Sequence, residues 1–286
     1  TEYTIVCLSE ESYYLISAGA WTEYDSDYLH KSLADSKFDS VNIYDCTSQW
    51  GVFSIAGPNS RSFLKKIVVC EDPDKTLSNK EFPWLSYRDI EIGMCPVRAL
   101  RVAYTGELGW ELHHPIEMQN YLLNILLSSG EEFNLKLVGA RAQNWLRQEK
   151  SYKAFGSDLG RDAGPFESNL SRFVDINKNF LGKDALLKRK TDVSCVTLLI
   201  DGPKDIDPWG REALYNETEE VMLGRLTSAG YSVHFKRSIG IGYVKSSFSE
   251  VGTKLRIKID DAFWNAEIVR DSPYDPQNER IIDRAQ

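Results

Sequence analysis

The chain has 286 residues, 42% of them hydrophobic, with seven Trp, fourteen Tyr and twelve Phe. That is too much apolar material for a disordered segment and enough for one large domain or two modest ones. A formal net charge of -8 without any Lys/Arg-rich run argues against a nucleic-acid surface, and no apolar run approaches the roughly 18 residues that span a bilayer.

Residues 3–8 and 12–17 are rich in Tyr, Ile, Val and Leu, and the polar "SEES" between them predicts a hairpin. The alternation of Tyr3, Ile5 and Cys7 is already running at the first residues, there is no initiator Met, and no signal peptide is visible. The chain therefore reads as cut from something longer. Residues 22–35 predict a polar helix with Tyr24, Tyr28 and Leu29 at helical spacing. Two strands are expected at 41–46 and 51–56. Gly57-Pro58-Asn59-Ser60 then marks a helix start with Phe63, Leu64 and Ile67 on its inner face. Strands are expected at 97–104 and 109–113. Helices follow at 116–129, with Met118, Leu122, Ile125 and Leu126 on one face, and at 135–149, with Leu135, Val138, Ala142, Trp145 and Leu146. Strands and helices mixed in this way predict an α+β sheet covered by helices.

The texture changes near residue 190, after "GKDALLKRK", which reads as a short helix with a basic end. From 193 onward short apolar runs such as "VTLLI", "SIGIGYV" and "KLRIKI" are separated by Gly, Pro and Asp turns, which predicts a small β-barrel or jelly roll. The expected domains are 1–190 and 191–286.

The five cysteines, Cys7, Cys46, Cys70, Cys95 and Cys195, are scattered, without C-x-x-C or zinc spacing, and read as buried free thiols in a reducing compartment. The His113-His114 pair makes a poor chelate, because adjacent strand residues point to opposite faces. No metal site is expected. G-x-G-x-x-G occurs nowhere, so flavin binding by that motif is not expected of this chain.

"YTGELGWELHHP", residues 104–115, places a phenol and a carboxylate on either side of a glycine turn. A turn with glycines where positive φ is needed accounts for it in purely structural terms. Further motifs add context: "GARAQNWLRQEKSYKAFGSDLGRDAGPFESNL", "LTSAGYSVHFKRSIGIGYV" and "SPYDPQNER". In this order, and from residue 2 to about 280, they resemble the folate-binding aminomethyltransferase family. That family includes the glycine-cleavage T-protein and the carboxyl-terminal halves of dimethylglycine and sarcosine dehydrogenases. "EKSYKAFGSDL" and "YDPQNER" lean toward the dehydrogenase branch.

The resemblance implies an α+β aminomethyltransferase fold closed by a carboxyl-terminal β-barrel, with 1–190 as the folate-binding domain, its amino-terminal part missing. It implies that the chain binds tetrahydrofolate and forms 5,10-methylenetetrahydrofolate from an oxidised N-methyl donor. Glu111 matches the carboxylate that grips the pteridine's N–H donors, and an ionised carboxylate, which only accepts, suits two parallel hydrogen bonds. Tyr104 is the matching tyrosine, placed to stack or donate its hydroxyl. Arg141, in "GAR", matches an arginine that reaches folate; a surface helix arginine is its plain alternative. Tyr274 matches an aromatic near the carboxyl terminus. Tyr14 and Ile16 match positions lining the pteridine slot, where core packing serves equally well. Glu2 stands where the family carries an Asp, expected to stabilise the cation and take a proton. FAD would be held on a missing domain or a partner polypeptide. A T-protein proper and a non-catalytic relative, such as the pyruvate dehydrogenase phosphatase regulatory subunit, are the alternatives. The location implied is the mitochondrial matrix or a bacterial cytoplasm.

Overall fold

A computed structural model of the chain describes residues 2–36, 40–202 and 207–283. They form two compact units, one of Thr1–Val102 with Gly109–Leu135 and the other of Ala103–Leu108 with Lys136–Gln286.

The first unit opens on the expected hairpin, β1 (Thr4–Ser9) and β2 (Ser12–Ile16), paired from Thr4↔Ile16 to Ser9↔Ser12. Helix α1 (Thr22–Ala34) follows. An antiparallel sheet is built from β3 (Trp50–Ala56), β4 (Tyr87–Ile92), β5 (Cys95–Leu100) and β6 (Gly109–Pro115), in the order β3-β6-β5-β4. Successive strand residues point to opposite faces. On one face, Val97, Trp110 and Leu112 are buried among residues of α2 (Ser60–Ile67) and α4 (Gln119–Gly130), such as Phe63, Leu64, Leu122 and Leu126; the short α3 (Pro73–Thr76) lies between these helices in the chain. Trp110 lies between two buried guanidiniums, with Arg61 5.5 Å and Arg101 5.8 Å from its ring centre. Those charges are tolerated because each donates to a backbone carbonyl, Arg61 to Leu77 and Arg101 to Phe82.

The second unit is dominated by a closed six-stranded barrel. Its strands are β7 (Val193–Ile200), β8 (Ala213–Tyr215), β9 (Met222–Ser232), β10 (Arg237–Lys245), β11 (Lys254–Ile259) and β12 (Ala262–Val269). They run β10-β7-β12-β11-β8-β9 around the ring. Every second residue points inward, so Val196, Leu198 and Ile200 meet Leu255, Ile257 and Ile259 in the core. Helix α5 (Ala140–Glu149) packs on β9. Trp145 seats its indole over Gly230, where any Cβ would lie 2.0 Å from the ring.

The fold is thus α+β with a carboxyl-terminal β-barrel, as expected. Several local expectations do not hold. Residues 41–46 form no strand: among the described residues they pair with no other strand, and Val41 and Tyr44 are exposed. β5 stops at Leu100, and the expected helix over 135–149 begins only at Ala140, after Gly139 as its N-cap. Leu137 and Val138, at 82% and 65% exposure, lie in the irregular run before it. β4 was not anticipated. Of the five free cysteines only Cys95 and Cys195 are buried; Cys7 and Cys70 are exposed, so burial does not account for the set.

Candidate functional site

The opposite face of the first unit's sheet carries Glu111, His113, Arg98 and Ser54 beside Val52 and Leu100. Pairing sets Arg98 opposite His113 and Leu100 opposite Glu111 between β5 and β6, while Val52 and Ser54 of β3 flank them from the other side. Glu111 and His113 are two residues apart on one strand, so both project to this face. His114 projects the opposite way, where its ring stacks on Phe53 at 4.9 Å. The adjacent imidazoles therefore face apart, as strand geometry requires.

A chain of hydrogen bonds runs across this face. His113 Nε2 lies 3.2 Å from Glu111 Oε2, and His113 Nδ1 lies 3.1 Å from the Tyr14 hydroxyl. The imidazole is 1% exposed, whereas the Glu111 side chain keeps 32% exposure. Oε1 takes no donor among the described residues. Burial raises the Tyr14 phenol pKa above its ordinary value; the Arg98 charge opposes this, while Cys46 and Glu111 add to it. Arg98 is held by Asp89 through contacts of 2.9 and 3.3 Å, and its guanidinium lies over the rings of Tyr14, Trp50 and Tyr87. The result is a partly open carboxylate held at one oxygen by an imidazole that the Tyr14 ring packs against. Ile16 is half-buried at the end of β2, and Glu2 is exposed, two residues before β1.

The second unit carries the other expected residues. The Tyr104 hydroxyl donates to the Lys153 carbonyl at 3.2 Å, and its ring stacks on Tyr152 at 5.9 Å. Gly106 has φ +79°, and a Cβ there would lie 2.2 Å from Lys150 Cγ. Only glycine serves, on both counts. The Lys150 ammonium, buried, donates to the Asp275 carbonyl at 2.6 Å and to Asn278 at 2.7 Å. Glu107 accepts from the Tyr274 hydroxyl, and Arg280 approaches it at 3.5 Å. The glycine turn is therefore fastened to the 274–280 segment. Arg141 is exposed, pairs with Asp207 and lies over the rings of Trp145 and Trp209.

The expected meeting of Tyr104 and Glu111 involves one residue from each unit. Within the first unit Glu111 gathers with Tyr14; within the second, Tyr104 gathers with Tyr152 and Lys153. His113 and Arg98 were not singled out for function. The signal for His113 was available, since a carboxylate and an imidazole at i and i+2 of a strand share a face. Among the described residues no three His, Cys, Asp or Glu side chains form a group that could hold a metal ion, and no helix is long and apolar enough to cross a membrane.

A family model for the GCVT N-terminal domain matches residues 1–178, and one for the glycine cleavage T-protein C-terminal barrel domain matches residues 194–275. The chain belongs to the glycine cleavage T-protein family. Among curated relatives, mitochondrial dimethylglycine dehydrogenase of Mus musculus is 33% identical over 277 residues, covering 94% of this chain and 31% of the relative. Mitochondrial sarcosine dehydrogenase of Mus musculus is 28% identical, covering 95% of this chain and 30% of that protein. An aminomethyltransferase of Caldanaerobacter subterraneus is 28% identical, covering 91% of this chain and 67% of that one. The chain thus spans about a third of the length of the dehydrogenases it matches. The crystal structure of aminomethyltransferase T from Bartonella henselae superposes with a TM-score of 0.77 over 95% of this T-protein-family chain and 71% of the other, at 19% identity.

Proposed function

We propose that the chain is the tetrahydrofolate-binding one-carbon transfer module of a dimethylglycine or sarcosine dehydrogenase-like enzyme. It would accept the one-carbon unit of an oxidised N-methyl donor and release 5,10-methylenetetrahydrofolate. The observation that carries this reading is Glu111: a carboxylate whose Oε2 is held by His113 and whose Oε1 is left to a ligand, with Tyr14 bonded to the same imidazole. A pterin presents adjacent N–H donors, and an acceptor-only group takes them in parallel. When bound, tetrahydrofolate supplies the nitrogen that receives the carbon unit. Tyr14 and Ile16 would line the pteridine slot. On the second unit Tyr104, Arg141 and Tyr274 keep the folate-contacting roles that the resemblance implies, and Glu2 that of the proton-accepting carboxylate. The division into a folate-binding domain, 1–190, and a barrel domain, 191–286, belongs to the same reading.

Oxidation of the amine would belong to a flavin-carrying domain or partner polypeptide, and the setting would be the mitochondrial matrix or a bacterial cytoplasm. The dehydrogenase branch is preferred over a free-standing aminomethyltransferase because dimethylglycine dehydrogenase reaches 33% identity, whereas sarcosine dehydrogenase and the aminomethyltransferase each stand at 28%.

Calorimetric titration with tetrahydrofolate tests the reading. Glu111→Gln is expected to weaken binding by roughly 1.5–3 kcal/mol, the range for a hydrogen bond to a charged group; equal affinity would remove Glu111 from the site. With formaldehyde as donor, Glu2→Ala is expected to lower transfer about 10²- to 10⁴-fold, the usual contribution of a positioned acid or base. A rate held at the unsubstituted level would leave Glu2 only a residue preceding a strand.

A further inference from the structure

We propose that His113 is a positioning residue for Glu111, and that Tyr14 sets the imidazole tautomer through which it acts. The proposal rests on the reading of Glu111 as the carboxylate that meets the pterin.

The direction of each hydrogen bond follows from the inventory of donors. An ionised carboxylate has no proton to give, so the proton of the 3.2 Å contact sits on His113 Nε2. A neutral imidazole has one N–H, which leaves Nδ1 as an acceptor. Tyr14, 3.1 Å from Nδ1, is then the donor. Burial keeps that phenol protonated well into the alkaline range, as the role requires. The edge of the Tyr14 ring meets the imidazole at 83° with centroids 5.6 Å apart, so the same residue that fixes the tautomer also walls the ring. At 1% exposure the imidazole has little access to water as an alternative partner. Arg98, its cross-strand neighbour, is held by Asp89 and does not take its place.

The effect on Glu111 is orientational. A glutamate has three rotatable side-chain bonds and, half-exposed on a strand, would sample several rotamers. The Nε2–H fixes Oε2 and so fixes the plane of the carboxylate. Oε1 and the second lone pair of Oε2 then face a ligand as a prepared pair of acceptors. A site organised in advance loses less freedom on binding than one ordered by the ligand.

Two amide substitutions separate positioning from packing. His113→Gln can set an amide N–H near the place of Nε2, whereas His113→Asn stops near the place of Nδ1. Tetrahydrofolate would be titrated calorimetrically into the full chain as His113→Gln, His113→Asn, Glu111→Gln and the double Glu111→Gln/His113→Asn variant. We expect His113→Gln to stay within about threefold of the unsubstituted affinity and His113→Asn to lose about 10-fold, the scale of one hydrogen bond to a charged group. In the Glu111→Gln background, His113→Asn should cost less than about twofold more, because a positioning residue has nothing left to position. Nitrogen-15 shifts of the unsubstituted chain, which need no variant to fold, should show Nε2 protonated and Nδ1 bare. The proposal is overturned if the opposite tautomer is found, if the Gln and Asn variants lose equally, or if His113→Asn costs the same with and without Glu111. Loss of binding in Glu111→Gln with none in His113→Asn sinks the positioning role alone. Undiminished binding in Glu111→Gln sinks the folate reading and this proposal with it.

Discussion

The sheet β3-β6-β5-β4 and the barrel are both antiparallel, yet they use their polar residues in opposite ways. The barrel closes on itself, so it has no edge strand and its inward positions are almost entirely apolar. Its polar groups lie on the wall and are paired off. Arg147 of α5 donates to Asp158 at 2.6 Å, and Asp158 also accepts from Thr227 and Ser228 of β9 at 2.5 and 2.7 Å. The sheet carries α2 and α4 on one face. On the other it keeps a carboxylate that is held at one oxygen and open at the other. One architecture completes its hydrogen bonds internally and gains stability; the other leaves one acceptor for a ligand.

The contrast is sharpest at Asp158. Its carboxylate is fully buried with Arg147, and four donors converge on it, the fourth being the Ala154 N–H at 3.0 Å. Asp158→Ala would leave a buried guanidinium without its counter-ion, a change that costs about 3–5 kcal/mol. Urea unfolding should show the loss. A shift below about 1 kcal/mol would mean that the pair is not buried in solution, since exposed ion pairs contribute only that much.

Core truncation gives the next largest effect. Ile257 is fully buried in the barrel, whereas Val52 on the Glu111 face of the sheet is 47% exposed. Ile257→Ala should destabilise by about 2–5 kcal/mol through lost burial and the cavity left behind. Val52→Ala should stay within about 0.5 kcal/mol, as surface changes do. Equal losses in thermal unfolding would show that the Glu111 face is covered, and the proposed ligand face would have to be sought elsewhere.

How far these differences could be read from the chain depends on the range of the forces involved. The barrel was legible because short apolar runs such as "VTLLI" and "KLRIKI", separated by Gly, Pro and Asp turns, are a local pattern. The hairpin at Thr4–Ile16 was legible for the same reason. Residues 41–46 misled because "SVNIYDC" has the composition of a strand while no neighbour among the described residues offers it a ladder. Residues 135–139 misled because "LKLVG" continues an apolar periodicity that the chain does not use for a helix. Among site residues, Glu111 stood out by its motif. The network around it did not, because Tyr14 and His113 are 99 residues apart and meet only through tertiary structure. Glu107 is a further case. Its bond to Tyr274 spans 167 residues, and it shows that the first acidic residue of the glycine motif ties down the turn.

The smallest expected effect concerns the phenol of Tyr152 in the second unit. Burial pushes its pKa up to about 12, with Asp275 adding to the shift. The unfolded chain would release that proton near pH 10. Between those values the unfolded state holds fewer protons than the folded one, so stability falls as pH rises from about 10 to about 12 and is unaffected below. Tyr152→Phe keeps the ring stacked on Tyr104 and removes the titrating group. Stability at neutral pH should therefore change little, and the alkaline decline should become shallower, by about 1 kcal/mol or less once partial exposure is allowed for. Tyr243 and Tyr274 also have raised values, so part of the decline should remain. Tyr14→Phe on the sheet makes the complementary case. It too removes a raised phenol, but it also takes the donor from His113 Nδ1, so its effect should extend to ligand binding, whereas that of Tyr152→Phe should be confined to the alkaline limb of stability. An alkaline decline of unchanged slope in Tyr152→Phe, followed by circular dichroism between pH 8 and 12, would show that the phenol is solvated in the folded state, and the distinction between the two tyrosines would fail.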